Sequence, residues 1–308
     1  MQKCGTDDAY KQLLALTADA ANPETYEEIR KLLDVDEYIN YMAVEFYLGS
    51  SDWMRNNVKA FRLHNDGKFR FVIFDTDGSF SYTNGMFSYI MRMEYNYTFD
   101  TLYPSGNTIT TDNTLVTIFR QLLKNESFRR QFIDTYCIVG GSVFEAQRCT
   151  QIIDSLVAVS QPAMDLEGRG WNVYNMGESL KNTFNGRNSA MISELRSYGS
   201  FNLSGVPAQK VMLQSNVPGA RITLNDIEVP TGYFNGNLFA PVNIKAIAPG
   251  GYVFEGWTQG TGASSNIFDY GSEWLYYDSG SLDGKSWNVT VYQDEVPGGG
   301  GRVCGGGG

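Results

Sequence analysis

The stretch YINYMAVEFYLGSSDWMRNNVKAFRLHNDGKFRFVIFDTDGSF, Tyr38 to Phe80, decides how the chain is read. It opens as a helix. Val35, Ile39, Met42 and Phe46 recur at intervals of three and four, so they share one face. Asp34 and Glu37 have the spacing of a capping box at its start, and Gly49 supplies the residue that ends a helix. Two alternating runs follow, VKAFRLH and KFRFVIF, joined by Asn65-Asp66-Gly67. A turn of that composition between two such runs predicts a β-hairpin. Helix, loop and hairpin in succession make this part of the chain α+β.

Working outward, residues 6–36 predict two polar helices, Asp8–Thr17 and Pro23–Leu33, the second started by Asn22-Pro23. From Gly78 to Thr111 the chain is aromatic and polar without a clear period, and reads as a long irregular insertion over a site. Helices resume with Leu115, Ile118, Phe119, Leu122 and Leu123 on one face. Phe128, Phe132, Ile133 and Tyr136 continue the pattern after Asn125. Two more are expected near Phe144–Val159 and Leu180–Tyr198, and these apolar stripes read as core.

Past Leu203 the texture changes to short runs, KVMLQS, ARITL, PVNIKAIA, YVFEGW and WNVTVY, separated by Pro-Gly, Asn-Asp, Asn-Gly and Gly-Gly turns. The expected organisation is therefore a mostly helical domain with a hairpin over 1–203, a small all-β, sandwich-like module over 204–295, and a disordered glycine-rich tail over 296–308. Alternation places Tyr252 and Phe254 on one side of a strand, which points to the core.

The 308 residues carry 34 acidic against 24 basic side chains, a net charge of -10, which disfavours nucleic-acid binding. Cys4, Cys137, Cys149 and Cys304 form no CxxC or CxH pair and read as free thiols, leaving neither a zinc set nor a redox motif. The single histidine, His64, lies in a predicted strand, so Ser/His/Asp and Cys/His catalysis have little support. The first residues lack the basic start and apolar run of a secretory signal, and no stretch approaches the length of a membrane helix.

What remains is a constellation suited to phosphoryl transfer. Such a site needs a carboxylate at the acceptor hydroxyl, a carboxamide on one metal ion and a second carboxylate on metal. Asp52 followed by Asn57 has the D-x-x-x-x-N spacing of a kinase catalytic loop, and the hairpin returns the chain to Asp75 in FVIFDTDGSF. In the plain structural alternative, Asp52 caps a helix or turn and Asp75 opens one. An orthodox protein kinase is excluded. Ser50-Ser51 replace His-Arg, Thr76-Asp77-Gly78 follow Asp75 in place of Phe-Gly, and no glycine-rich strand pair with a phosphate-contacting lysine precedes the site.

The segment from Tyr38 to Phe80 resembles the CotH (spore coat protein H) atypical kinase family, especially its Bacteroidetes-type relatives, in which an N-x-D-W-x-x-N-N loop precedes a D-x-D-x-x-F strand end. Here the loop is Ser50-Ser51-Asp52-Trp53-Met54-Arg55-Asn56-Asn57. The resemblance continues through TLVTIFRQLLKNESFRRQFIDTY and RGWNV, over most of residues 5–203, and the C-terminal runs look like the β module appended to such surface proteins.

It implies an enzyme that uses ATP and Mg²⁺ or Mn²⁺ to phosphorylate serine or threonine of a protein substrate. Asp52 would be the catalytic-loop aspartate, Asn57 and Asp75 would hold metal and nucleotide, and Asp77 would support the metal. It also implies a bacterial cell-surface or envelope setting, with the β module as the candidate for surface or polysaccharide contact. By the same resemblance the chain begins after the family's N-terminal β-rich lobe, so low turnover by this chain alone is expected.

Two rival readings stand beside it. FVIFDTDGSF also resembles the D-x-D-G-[ST] opening of haloacid-dehalogenase-type phosphatases, but it sits on a hairpin and no downstream metal-ligand pair follows. A non-catalytic scaffold or adhesion protein would instead use Tyr252, Phe254 and Trp257 as an exposed binding strip.

Overall fold

A computed structural model describes residues 6–50, 53, 57–63, 67–80, 114–168, 170 and 172–258. The turn at His64–Asp66, Asp52, most of the insertion, Cys4, Cys304, WNVTVY and the tail lie outside the described residues. The helices are α1 (Asp8–Thr17), α2 (Pro23–Leu32), α3 (Val35–Leu48), α4 (Thr114–Leu122), α5 (Glu126–Ile138), α6 (Ala146–Glu167) and α7 (Val173–Ser197). The strands are β1 (Ala60–Phe61), β2 (Arg70–Phe71), β3 (Ala208–Gln214), β4 (Arg221–Leu224), β5 (Ile227–Glu228), β6 (Tyr233–Phe239) and β7 (Ile244–Ile247). The architecture is α+β, as the residue patterns predict. No helix among the described residues is long and apolar enough to cross a membrane.

Asn22 starts α2 as its sequence suggests, its side chain accepting the N–H groups of Glu24 (2.8 Å) and Thr25 (3.2 Å). α3 differs in its cap. Asp34 makes no side-chain cap bond. Its Oδ2 instead accepts Nε (2.8 Å) and Nη2 (2.7 Å) of Arg70, and Glu37 accepts the N–H of Phe71 at 3.2 and 3.3 Å. The physical reason is adjacency. Phe69 bridges Leu33 beside the helix start, which brings β2's free N–H groups within reach of these carboxylates. The residues of the expected capping box therefore fasten the hairpin to α3. Desolvation pushes Glu37's carboxyl upward, partly offset by the Phe71 N–H.

The hairpin is antiparallel, with Ala60 opposite Phe71 and Phe61 opposite Arg70. Behind it lies an aromatic core in which Phe46 of α3 meets Phe119 of α4 (5.1 Å between centroids) and Phe132 of α5 (6.0 Å), while Phe132 stacks on Phe201 (5.7 Å).

α6 and α7 run longer than the sequence suggests. α6 continues through an exposed Pro162, and α7 begins at Val173, where Asn172 accepts the N–H of Asn175 at 2.9 Å. The two pack closely because Gly177 has no side chain; a Cβ there would lie 2.7 Å from Val157.

The strands form a β3–β6 pair and a β5-β4-β7 sheet, both antiparallel. Asn225 and Asp226 both take positive φ (49° and 67°), which makes the two-residue β4–β5 turn. Two strand readings are corrected. Asn235-Gly236, read as a turn, lies within β6. Gly236 is there for close approach, since a Cβ would sit 2.9 Å from Gly141 Cα and 2.8 Å from Phe234 Cζ. YVFEGW forms no strand, and Tyr252 and Phe254 are 59% and 46% exposed, so the expected core role falls away.

The chain divides into units Met1–Glu255 and Gly256–Gly308, so the strands up to Ile247 share one unit with the helices. The boundary expected after residue 203 marks a change of texture, while chemical ties cross it. Asp134 of α5, buried, accepts Arg130 Nε (2.8 Å) and Asn225 Nδ2 (2.8 Å) on one oxygen. Arg130 Nη2 donates to the carbonyls of Phe239 (2.8 Å) and Pro241 (2.6 Å). Phe234 packs where the π-helical turn Val139–Val143 presents Gly141, and Asn235 Nδ2 donates to Glu145 at 3.1 Å. Cys137 and Cys149 are free and buried, as their spacing suggested, and burial pushes the Cys149 thiol up to about 11.

Candidate functional site

α3 delivers the chain to the candidate loop. Gly49 closes the helix with φ 58°, its N–H bonded to Glu45 O at 3.0 Å. Arg187 of α7, fully buried, reinforces that end by donating Nε to Tyr47 O (2.9 Å) and Nη2 to Phe46 O (2.8 Å). A guanidinium on the last carbonyls of a helix satisfies orphan acceptors and complements the helix dipole.

Trp53 anchors the loop in the core. It is 2% exposed, its Nε1 donates to the Tyr41 hydroxyl at 2.8 Å, and its ring meets Phe46 edge-on at 5.4 Å. Trp53 stands next to Asp52 in sequence, so this anchor fixes the chain one residue from the expected catalytic aspartate. Asp52 itself lies outside the described residues. Ser50, also buried, leaves its Oγ without a hydrogen-bond partner.

Asn57 and Asp75 come together across the hairpin, as their order in the sequence suggested. Asn57 is 7% exposed and its Nδ2 donates to the backbone carbonyl of Asp75 at 3.2 Å. Val72 N–H donating to Lys59 O (3.0 Å) holds the strands in register beneath them. Asp75 takes a left-handed conformation, φ 55°, which costs a non-glycine residue free energy and clusters at functional positions. Its side chain and that of Asp77 are exposed. The segment then turns back. Ser79 bonds Thr76 O through its N–H (3.1 Å) and Oγ (2.5 Å), and Phe80 N–H reaches Leu48 O at 2.6 Å. Phe80 thus brings the chain back to the end of α3.

Desolvation pushes the carboxyl of Glu45, one turn before the loop, up to about 8. Sequence reasoning passed over it because its place on α3 reads as one polar residue in an apolar helix. The hairpin's cations rest on aromatic faces, Lys59 Nζ 3.8 Å from the Phe74 centroid and Arg62 5.5 Å from Phe69.

With Nδ2 committed to Asp75 O, the atom of Asn57 that would ligate a metal is Oδ1. The other expected donors, the Asp75 and Asp77 carboxylates, are also hard oxygens, the donor type that Mg²⁺ or Mn²⁺ takes. Among the described residues no three His, Cys, Asp or Glu side chains group into a metal site. Mg²⁺ bound with a nucleotide uses one or two protein carboxylates plus phosphates and waters, a mode in which Asp75, Asp77 and Asn57 Oδ1 would be the protein donors.

The phosphatase alternative needs its DxDG motif to lead a βαβ unit. Here the motif follows the second strand of a hairpin, and every strand pair among the described residues is antiparallel. Fold and site together define an α+β lobe in which Trp53 is anchored on α3 and an Asn–Asp pair is joined across a hairpin. The family model described as CotH kinase protein matches residues 2–201, and the chain belongs to that family. No curated protein and no solved structure matches it.

Proposed function

We propose that this chain is a CotH-type, ATP-dependent protein kinase domain that transfers the γ-phosphoryl group to a serine or threonine hydroxyl of a protein substrate at the bacterial cell surface. The observation that carries this reading is the Asn57–Asp75 link, because it unites a carboxamide and a carboxylate position that are separated by a whole hairpin in sequence. Asp52, next to the Trp53 anchor in sequence, would orient the acceptor hydroxyl and accept its hydrogen bond. Asn57 Oδ1 and the Asp75 carboxylate would hold Mg²⁺ or Mn²⁺ and Asp77 would support it; the ion supplies neutralisation of phosphate charge.

A second reading, a binding or adhesion protein with a retired catalytic lobe, has one observation in its favour. Tyr252, Val253 and Phe254 are 59%, 86% and 46% exposed on a segment without regular structure.

Thermal-shift titration with ATP, with and without Mg²⁺ or Mn²⁺, separates the two. A nucleotide at about 100 times its dissociation constant stabilises by about 2.7 kcal/mol. The kinase reading expects a metal-dependent rise in melting temperature that Asp75→Ala abolishes, followed by transfer of labelled phosphate to protein. Absence of any shift at millimolar nucleotide favours the adhesion reading.

A further inference from the structure

The carbonyls of Phe46, Tyr47 and Leu48, at the end of α3, are claimed from two directions. Arg187 of α7 takes the first two, and the Phe80 N–H takes that of Leu48 at 2.6 Å. Phe80 follows Asp77 by three residues and Asp75 by five, so its placement decides where the segment with the expected metal-binding carboxylates ends. Its backbone is left-handed, φ 61°. A bulky residue resists that conformation, which persists only where surrounding contacts hold it.

The contacts are aromatic. The Phe80 ring meets Phe184 of α7 edge-on, with 5.0 Å between centroids and 74° between planes. Phe184, itself buried, stacks on Phe144 at 6.1 Å, and Phe144 lies flat on Tyr47 at 4.8 Å. The Tyr47 hydroxyl donates to the Phe144 carbonyl at 3.3 Å. The succession of rings thus leaves α3 at Tyr47 and comes back to it beside Leu48, where the Phe80 N–H is bonded. Phe184 joins the two halves, one turn before Arg187 on the same helix. Ser79 ties the segment to itself through Thr76 O, whereas Phe80 ties it to α3 and α7.

We infer that Phe184 is a positioning residue for the proposed phosphoryl transfer: by holding the Phe80 ring it fixes the backbone that carries Asp75 and Asp77 for the divalent cation bound with ATP. The inference rests on the kinase reading for what those carboxylates hold. At the near end of the segment Asn57 Nδ2 holds the Asp75 carbonyl at 3.2 Å, and at the far end Phe184 holds Phe80. Both end residues are left-handed, φ 55° and 61°. Mg²⁺ demands near-ideal geometry of its ligands, so a segment pinned at both ends suits it. Phe184 has no polar atom to offer metal or nucleotide and acts through Phe80.

Two measurements on the full chain test this, with Ile192→Ala, also buried on α7, as the control for lost packing. Hydrogen exchange of the metal-free protein, read at the Ser79 and Phe80 amides, should quicken by at least about tenfold in Phe184→Ala and keep the wild-type rate in Ile192→Ala. Calorimetric titration with ATP at a series of Mg²⁺ concentrations should show the Mg²⁺ requirement rising by at least about tenfold in Phe184→Ala and unchanged in Ile192→Ala. Adding Phe80→Ala to Phe184→Ala should raise it no further, because both changes break one contact. Phe184→Leu, which keeps most of the apolar volume, guards against a folding defect and should show both changes in smaller measure. Unchanged exchange in both Phe184 variants, faster exchange with an unmoved Mg²⁺ requirement, or an equal rise in Ile192→Ala overturns the inference and leaves the kinase reading standing. Absence of metal-dependent ATP binding in the wild type overturns the kinase reading and this inference with it.

Discussion

Glu45 offers the sharpest test of the packing around the candidate loop, through replacement by glutamine. The side chain is 2% exposed, and desolvation raises its carboxyl from an ordinary 4.5 to about 8. The native state therefore holds a proton that the unfolded chain releases. Stability from this group is fully present below about pH 4.5 and is lost as pH climbs through 8. At about 1.4 kcal/mol per pKa unit the ceiling on that loss is roughly 5 kcal/mol, and relaxation with water entry around the new charge reduces it to about 2–3 kcal/mol. Glutamine keeps the shape and removes the titration. Urea unfolding from about pH 5 to about pH 9 should show the two proteins close together at the acid end, with Glu45→Gln gaining on the wild type by about 2 kcal/mol at the alkaline end. All other titrating groups are common to both proteins and cancel in the difference. Stability curves that run parallel across that range would refute the reasoning.

Trp53→Ala should cost about 3–5 kcal/mol in urea unfolding and weaken nucleotide binding, because it removes the ring that pins the loop; a cost under about 1 kcal/mol would mean the loop is not anchored there. Gly141→Ala should destabilise by about 2 kcal/mol, since its Cβ would meet Phe234 Cε2 at 2.4 Å, whereas Gly186→Ala, with no atom within 4 Å on a helix, should stabilise by about 0.5–1 kcal/mol. Equal melting temperatures for those two variants would argue against the close seating of β6 on the π-helical turn.

Legibility from sequence followed the range of the interactions. Asn22, Asn125 and Gly49 signalled their helix ends because a cap is satisfied within a few residues, as the bonds from Asn22 and Asn125 to nearby N–H groups show. The pairing of Asn57 with Asp75 was legible because two alternating runs predict an antiparallel hairpin, whose register fixes where the second strand returns. Asp34 and Glu37 misled because their partners, Arg70 and Phe71, are distant in sequence and won over the local cap. Gly236 misled for a similar reason. Its requirement is the space beside Gly141, which no local pattern encodes. Arg187, an ordinary polar residue on a helix in the sequence, draws its role from carbonyls on α3.

The bonds from Arg130 and Asp134 to the strands bear on what can be inherited as a piece. The family match ends at residue 201, yet α5 is written to be read by residues 225–241. Severed after residue 203, α5 would present a buried carboxylate stripped of one of its two donors and an arginine stripped of both carbonyls, beside the gap left by Phe234. A recombination event that swapped only the strands would thus need matching changes in α5.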